Sequence, residues 1–260
     1  MNLETLALLS FPSIFVVLLV AERIWPARPL PKVAWWRAKG AAFFVAMMAI
    51  ASFAPLLWAD FVYAHRLMDL DWLGVAGGAA LAFVVLQLVQ YGWHRLMHGW
   101  APLWRLFHQM HHSAERLDVI GGVYFHPLDV VGFAFVQTAV PLALGVRIES
   151  VLVAGMIATF YGLFQHTNVR TPRWLGYFIQ RPESHSVHHA RGVHAYNYAD
   201  LPIWDLVFGT FRNPERFEVE AGYWDGASAK VGAMLVAQDV STKPGSETAR
   251  SPSIGGTATA

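Results

Sequence analysis

Residues 73–98 read LGVAGGAALAFVVLQLVQYGWHRLMH. Leu73 to Trp93 hold 21 residues without Asp, Glu, Lys or Arg, close to the roughly 20 apolar residues of helix that a bilayer core requires. The run closes on His94 and His98, four apart and therefore on one helix face. A membrane-crossing helix thus delivers two imidazoles to one boundary of the bilayer.

Two more runs precede it: Leu3 to Ala21, where only Glu4 is charged, and Gly40 to Ala59, with no charge at all. Two shorter uncharged runs follow, Val130 to Val146 and Ser150 to Gln165, separated by Arg147, Ile148 and Glu149. They predict either two short spans or a hairpin re-entering the membrane. The fold expected is all-α: an integral membrane helical bundle of about four to five segments, with a histidine-rich helical cap on the cytoplasmic side. Composition agrees, being 55% hydrophobic and 14% charged against roughly 25% charged in a soluble domain.

The first run is expected to stay as an anchor, since no Lys or Arg precedes it and no small-residue cleavage site follows. Arg23, Arg28, Lys32, Arg37 and Lys39 lie between the first two runs, while the opposite face offers only Arg66 and Arg147; of 19 Lys and Arg, 17 therefore share one side. The positive-inside rule makes that side the cytoplasm. The N-terminus is then outside, and the C-terminus and most histidines are cytoplasmic. Trp25, Trp35, Trp36, Trp93, Trp100 and Trp104 flank these boundaries as an interfacial belt would. From Ser241 onward Ser, Thr, Gly, Ala and Pro dominate, which predicts a disordered tail.

A formal net charge of +1 leaves no basic surplus for a polyanion, so no nucleic-acid partner is expected. The chain has no cysteine, which excludes disulfides, cysteine-ligated iron–sulfur clusters, thiolate haem and thiolate zinc. Eleven of the twelve histidines lie between His94 and His194. His94 and His98 form H-x-x-x-H; His108, His111 and His112 form H-x-x-H-H; His185, His188 and His189 repeat H-x-x-H-H. Each box can turn two or three imidazoles toward one point. Eight such groups exceed the four-coordinate demand of one structural zinc, so two metals are the economical reading, although imidazole suits zinc, copper, iron and nickel alike. His126 and His166, at the two ends of the 130–165 pair, are candidate additional ligands. Asp129, Asn168, His194, Asn197 and Asp205 are candidates to orient the ligating rings. His65, on the opposite face, is assigned no role. Metal transport is the rival reading, and a scaffold with a structural zinc site is a third. Transport ligands sit near the bilayer midplane, whereas these boxes lie past the span ends.

As an ordered set, YGWHRLMH from Tyr91, LWRLFHQMHHS from Leu103, FHPLD from Phe125, QHTN from Gln165, SHSVHH from Ser184, NYAD from Asn197 and IWDLVFGT from Ile203 resemble the sterol desaturase/fatty acid hydroxylase superfamily of membrane-bound non-haem di-iron proteins. Three positions depart from its pattern: Gln87 where many members carry Asp, Tyr124 where many carry Arg, and Ala199 in place of the usual Gly. The resemblance implies two iron ions on His94, His98, His108, His111, His112, His185, His188 and His189, with His126 and His166 as additions and O2 as co-substrate. It implies oxidation of an unactivated C–H bond in a lipid, fatty acyl or sterol-like substrate, hydroxylation being favoured over desaturation. Such a bond has neither an acidic proton nor a leaving group, so a redox cofactor must supply the reactivity. No His-Pro-Gly-Gly motif marks a fused cytochrome b5, so electrons are expected from a separate ferredoxin, cytochrome b5 or reductase. Membrane anchor helices over 1–91, a catalytic domain over 92–220 and a C-terminal tail over 221–260 complete the expected organisation.

Overall fold

The computed structural model describes residues 2–245. Of the tail expected from Ser241, residues 246–260 lie outside the described residues. Among the described residues eleven α-helices follow in order: α1 Leu3–Ile24, α2 Trp36–Phe53, α3 Ala59–Ala64, α4 Gly74–Gly99, α5 Ala101–Leu103, α6 Gln109–His112, α7 Pro127–Ala143, α8 Ile148–Phe164, α9 Pro182–His188, α10 Ile203–Val207 and α11 Val231–Leu235. A π-helical turn over Trp104–His108 joins α5 to α6. Among the described residues the β-structure is limited to two isolated bridges, Pro26 with Val169 and Ala190 with Ala221.

Three helical stretches are long and apolar enough to cross a membrane: Leu3–Ile24, Trp36–Leu57 and Asp71–Gly99. Their side chains also behave as a lipid-facing surface should. Val17, Val45 and Phe53 are each about two-thirds exposed, which only an apolar solvent makes favourable. Helices α7 and α8, 17 residues each, form the centre of the bundle. Helix α4 packs against both, α1 lies along α8, and α2 lies along α7. The apolar layer of Ala82, Phe83, Leu86, Val136, Leu142, Val151, Ala154 and Ala158 joins α4, α7 and α8.

The turn between α7 and α8 reaches the level where α4 begins. The amides of Leu67 and Met68 both donate to the Ala143 carbonyl, and that of Leu70 to Gly145. Arg147 pairs with Asp71 at 3.1 Å. The short pair of helices therefore extends to the loop before α4 instead of turning back halfway. Gly145 makes the turn possible: its φ is +64°, and a Cβ there would lie 2.2 Å from the Met68 carbonyl oxygen.

At the other end of the bundle the chain folds into the cap. Residues 221–240 pack back onto it, with Tyr223, Ala227, Met234 and Val240 buried against Trp36, Met110 and Tyr124. Helix α10 sits lower along the bundle than the rest of the cap. The Trp204 indole donates to the carbonyl of Val84, ten residues before His94 and so about 15 Å down α4. Ile203, Leu206, Val207 and Phe208 remain exposed there, an arrangement suited to a helix immersed in one leaflet.

Replacing Gly145 with Ala should destabilise the protein, since the left-handed backbone alone costs a side chain about 1–2 kcal/mol and the clash with Met68 adds to it. Thermal unfolding of the purified protein in detergent should show a lowered midpoint, and an unchanged midpoint would mean that the α7–α8 turn is not held as described.

Candidate metal centre

Two groups of imidazoles form side by side in the cap. His94, His98, His108, His112 and His188 bring their nitrogens within 4.8 Å of one another, and so do His111, His166, His185 and His189. The division follows from helix geometry. Neighbouring residues on a helix point about 100° apart while i and i+4 share a face. His108 and His112 therefore go to one group and His111 to the other; His185 and His189 stay together and His188 crosses over. Both H-x-x-H-H boxes are thus split between the groups in opposite senses. The π turn that ends on His108 puts the Gln109 amide on the Trp104 carbonyl, the kind of local widening that π-helical turns provide at functional sites.

Five of the nine rings are held from behind at Nδ1. The Nδ1–H of His94 donates to the carbonyl of Tyr198 at 2.7 Å, that of His98 to His194 at 2.9 Å, that of His188 to Tyr196 at 2.7 Å and that of His166 to Gly162 at 2.7 Å. A carbonyl can only accept, so these contacts place the proton on Nδ1 and turn the Nε2 lone pair inward. His108 is oriented by the Asp129 carboxylate, 2.7 Å from its Nδ1 and fully buried. His111 stacks on Phe125 at 4.0 Å between ring centroids. Gly122 lets its loop press on His166, where a Cβ would stand 3.0 Å from the His166 Cβ.

The inward nitrogens crowd one another. His94 Nε2 lies 2.9 Å from His108 Nε2, and His166 Nε2 lies 3.0 Å from the Nε2 atoms of both His111 and His185. The Nε2 atoms of His98, His112 and His188 are buried with no hydrogen-bond partner. Protons are a poor remedy, because burial pushes the imidazolium of His108 down to about 3 and that of His166 to about 4, and lowers those of His111, His112, His185, His188 and His189 as well. Converging neutral lone pairs in a buried pocket are a donor set for a divalent cation, and each group supplies enough of them.

Of the ten histidines expected as ligands, His126 is not brought into either group. Its Nδ1 accepts the Leu128 amide, and it caps α7 with Pro127 at the first helical position, a placement that His-Pro at a helix start favours. His194 stands next to the five-histidine group, its Nδ1 3.1 Å from that of His112. Asp205 and Asn197 act one step further out. Asp205 accepts from the amides of Tyr198 and Ala199 and Asn197 donates to the carbonyl of Ser184, fixing the loop and the helix start that carry the rings. Asn168 touches no histidine; its side chain donates to the Arg28 carbonyl. His65 lies far away on the loop after α3, its Nδ1–H on the Phe61 carbonyl.

The reading from sequence assigned no role to Asp200. Its buried carboxylate accepts from Gln90 and Gln165 at 2.7 Å and from Gln87 at 3.3 Å, and Gln87 Oε1 accepts the amides of Asp200 and Leu201. The signal was present: Gln87 and Gln90 are polar, three apart and inside a membrane span. Gln90, Gln165 and Asp200, with His94, His108, His111, His166 and His185, line one end of a cavity of about 500 Å³. Its walls continue between α1, α2, α7 and α8 through Phe133, Gly162, Thr159, Gly155 and Leu152 to Leu8 and Glu4. Leu152 precedes His166 by 14 residues, a drop of about 21 Å along α8.

Residues 79–210 match the fatty acid hydroxylase family. An ornithine lipid hydroxylase of Rhizobium tropici is 37% identical over 152 residues, covering 56% of this chain and 45% of that protein. A delta(7)-sterol-C5(6)-desaturase of Nicotiana tabacum is 27% identical over 157 residues, 57% of this chain and 55% of that one. The human alkylglycerol monooxygenase is 30% identical over 152 residues, 56% of this chain and 33% of its own length. The chain thus spans about half, or less, of these relatives. No solved structure is significantly similar to it.

Asp129→Asn should weaken one ion site and spare the other, because loss of an orienting carboxylate typically costs about 10–100-fold in metal affinity. Competition of the full chain with a chelator for Co2+ should resolve a strong and a weakened site. Two unchanged sites would mean that the His108–Asp129 contact carries no load.

Proposed function

The chain belongs to the fatty acid hydroxylase family, and from that premise we propose that it is a membrane-bound oxidoreductase using two iron ions and O2 to oxidise an unactivated C–H bond of a lipid. The observation that carries this reading is the pair of adjoining all-imidazole groups at the head of a largely apolar cavity. His94, His98, His108, His112 and His188 would hold one ion, and His111, His166, His185 and His189 the other. Bound there, the iron pair would supply the oxidising power that no side chain has.

The protein's own part is to position and to exclude. The carbonyls behind His94, His98, His166 and His188, and Asp129 behind His108, keep these five rings in their ligating tautomer without further reorganisation. Phe125 and Phe133 keep the cavity head dry, and Asp200 with its three amides gives it one polar wall. The relatives named above act on ornithine lipids, sterols and alkylglycerols, which share a polar end and a long apolar body. A lipid whose apolar body lies down the cavity presents carbons near its polar end to the histidines. Hydroxylation close to that end is the reaction we favour. Residues 1–91 would anchor the catalytic part, 92–220, with the N-terminus outside and the histidines facing the cytoplasm, where a separate ferredoxin, cytochrome b5 or reductase supplies electrons.

Lipid extracts of host membranes with and without the protein, grown under 18O2, should differ by species that gain one labelled oxygen within the first several carbons of the polar end. Loss of two hydrogens without label would replace hydroxylation by desaturation. Label confined to the far methyl end would mean that the chain lies in the cavity in the reverse direction.

Anaerobic purification with iron supplied should yield about two irons per chain, and one tightly held zinc with no iron site would overturn the di-iron reading. His108→Ala, His112→Ala and His188→Ala should each abolish turnover while the protein still inserts. His65→Ala should leave both iron content and turnover near wild type.

A further inference from the structure

A second concavity, of about 780 Å³, opens where α1 ends and α2 begins. Its rim carries Arg23, Arg28, Lys32, Arg37 and Arg116, against only two carboxylates, Glu22 and Asp118. Those carboxylates are turned inward and occupied. Glu22 is 8% exposed and Asp118 2%. Glu22 accepts the amides of Val119 and Asn168 at 3.0 and 3.2 Å. Asp118 accepts from the Trp36 indole, the Gly121 amide and Arg116. Arg116 is further tied to the Pro31 carbonyl.

Of the remaining cations, three face the opening without an ion pair. Among the described residues Arg23, Lys32 and Arg37 make no hydrogen bond or ion pair. Arg28 lies over the Phe217 ring at 4.7 Å and donates through one terminal nitrogen to the Glu218 carbonyl, but its Nε is buried with no partner. Beneath the charges the wall is apolar, made of Leu19, Val33 and Ile120. Trp35, 81% exposed, stands beside it at the start of a membrane-crossing helix.

Cations ringing an apolar floor, at the level where two spans leave the bilayer, match the headgroup and upper chain of an anionic lipid. The two cavities share no lining residue, and Phe11 and Leu163, which line the one below the histidines, pack in one apolar layer with Leu18, Val119 and Val123, so the concavity is a distinct site. We propose that the concavity between α1 and α2 binds the phosphate-bearing headgroup of an anionic membrane lipid, independently of the lipid that is oxidised.

The test uses the full chain in detergent with equimolar phosphatidylglycerol and phosphatidylcholine, and reads retained lipid by native mass spectrometry. Wild type should retain phosphatidylglycerol preferentially, with about a five-fold contribution from each basic side chain. The variant R23Q/K32Q/R37Q should lose that preference, whereas R173Q/R191Q/R216Q, with the same loss of charge elsewhere, should keep it. Because charge removal can disturb insertion, Ala38→Trp provides a second route: it obstructs the pocket, retains every cation and should also abolish the preference. Equal retention of the two lipids by wild type would overturn the proposal, as would unaltered preference in both pocket variants or equal loss in the control. Displacement of the lipid by millimolar inorganic phosphate would reassign the pocket to a soluble anion and overturn it as well.

Discussion

Hydrogen bonds from Nδ1–H to buried acceptors are the constraint on which the cap depends. They place four backbone carbonyls and one carboxylate behind five rings and so commit the opposite nitrogens to face one another. Where both rings are held in this way, as His94 and His108 are, neutral imidazoles gain nothing from that meeting. Lone pairs near 3 Å apart repel, and unpartnered buried nitrogens cost about 1–3 kcal/mol each. The arrangement leaves an unfavourable electrostatic state that a divalent cation would relieve, and such an ion would couple its affinity to the same bonds that build the fold.

Those bonds in turn need rigid surroundings. The loop carrying the Tyr196 and Tyr198 carbonyls is pinned by Asp205 and tied to the span by Gln87 and Asp200. The start of α9 is pinned by the buried Arg181–Glu183 pair, 3.1 Å apart and 1% exposed on each side. Arg181 also donates to Thr171, Asn213 and Pro214, so its charge is well served in a setting where an isolated pair would be a poor stabiliser. Polar groups are thus concentrated around the histidines, while the membrane helices are joined almost wholly by apolar contact.

Much of this was legible in the sequence, because helix periodicity is. The spans follow from uncharged runs, and the spacing of His94, His98, His108, His112, His185 and His189 fixes which rings can converge. His166 was placed by the length of the helix before it. His126 is a candidate ligand because it stands at one end of the 130–165 pair on the side of the boxes, yet it lies outside both groups and caps α7 ahead of Pro127. The carbonyl acceptors were invisible because every residue has one, and only tertiary structure selects which are used. Asp200 escapes a reading of spacing because its partners Gln90 and Gln165 precede it by 110 and 35 residues and belong to two different membrane helices. The depth of α10 was hidden for a related reason: IWDLV reads equally as a cap helix or a leaflet-immersed one until Trp204 meets Val84.

The crossing of the paired histidines has one more implication. His111 and His112 are adjacent in the chain, as are His188 and His189, yet each pair reaches into both groups. An ion entering either group would therefore immobilise the backbone of α6 and α9, which carry ligands for the other. A second ion would then meet a scaffold whose ordering entropy had already been spent. On the proposed two-ion reading, loading would be cooperative, with a one-ion chain sparsely populated between empty and full.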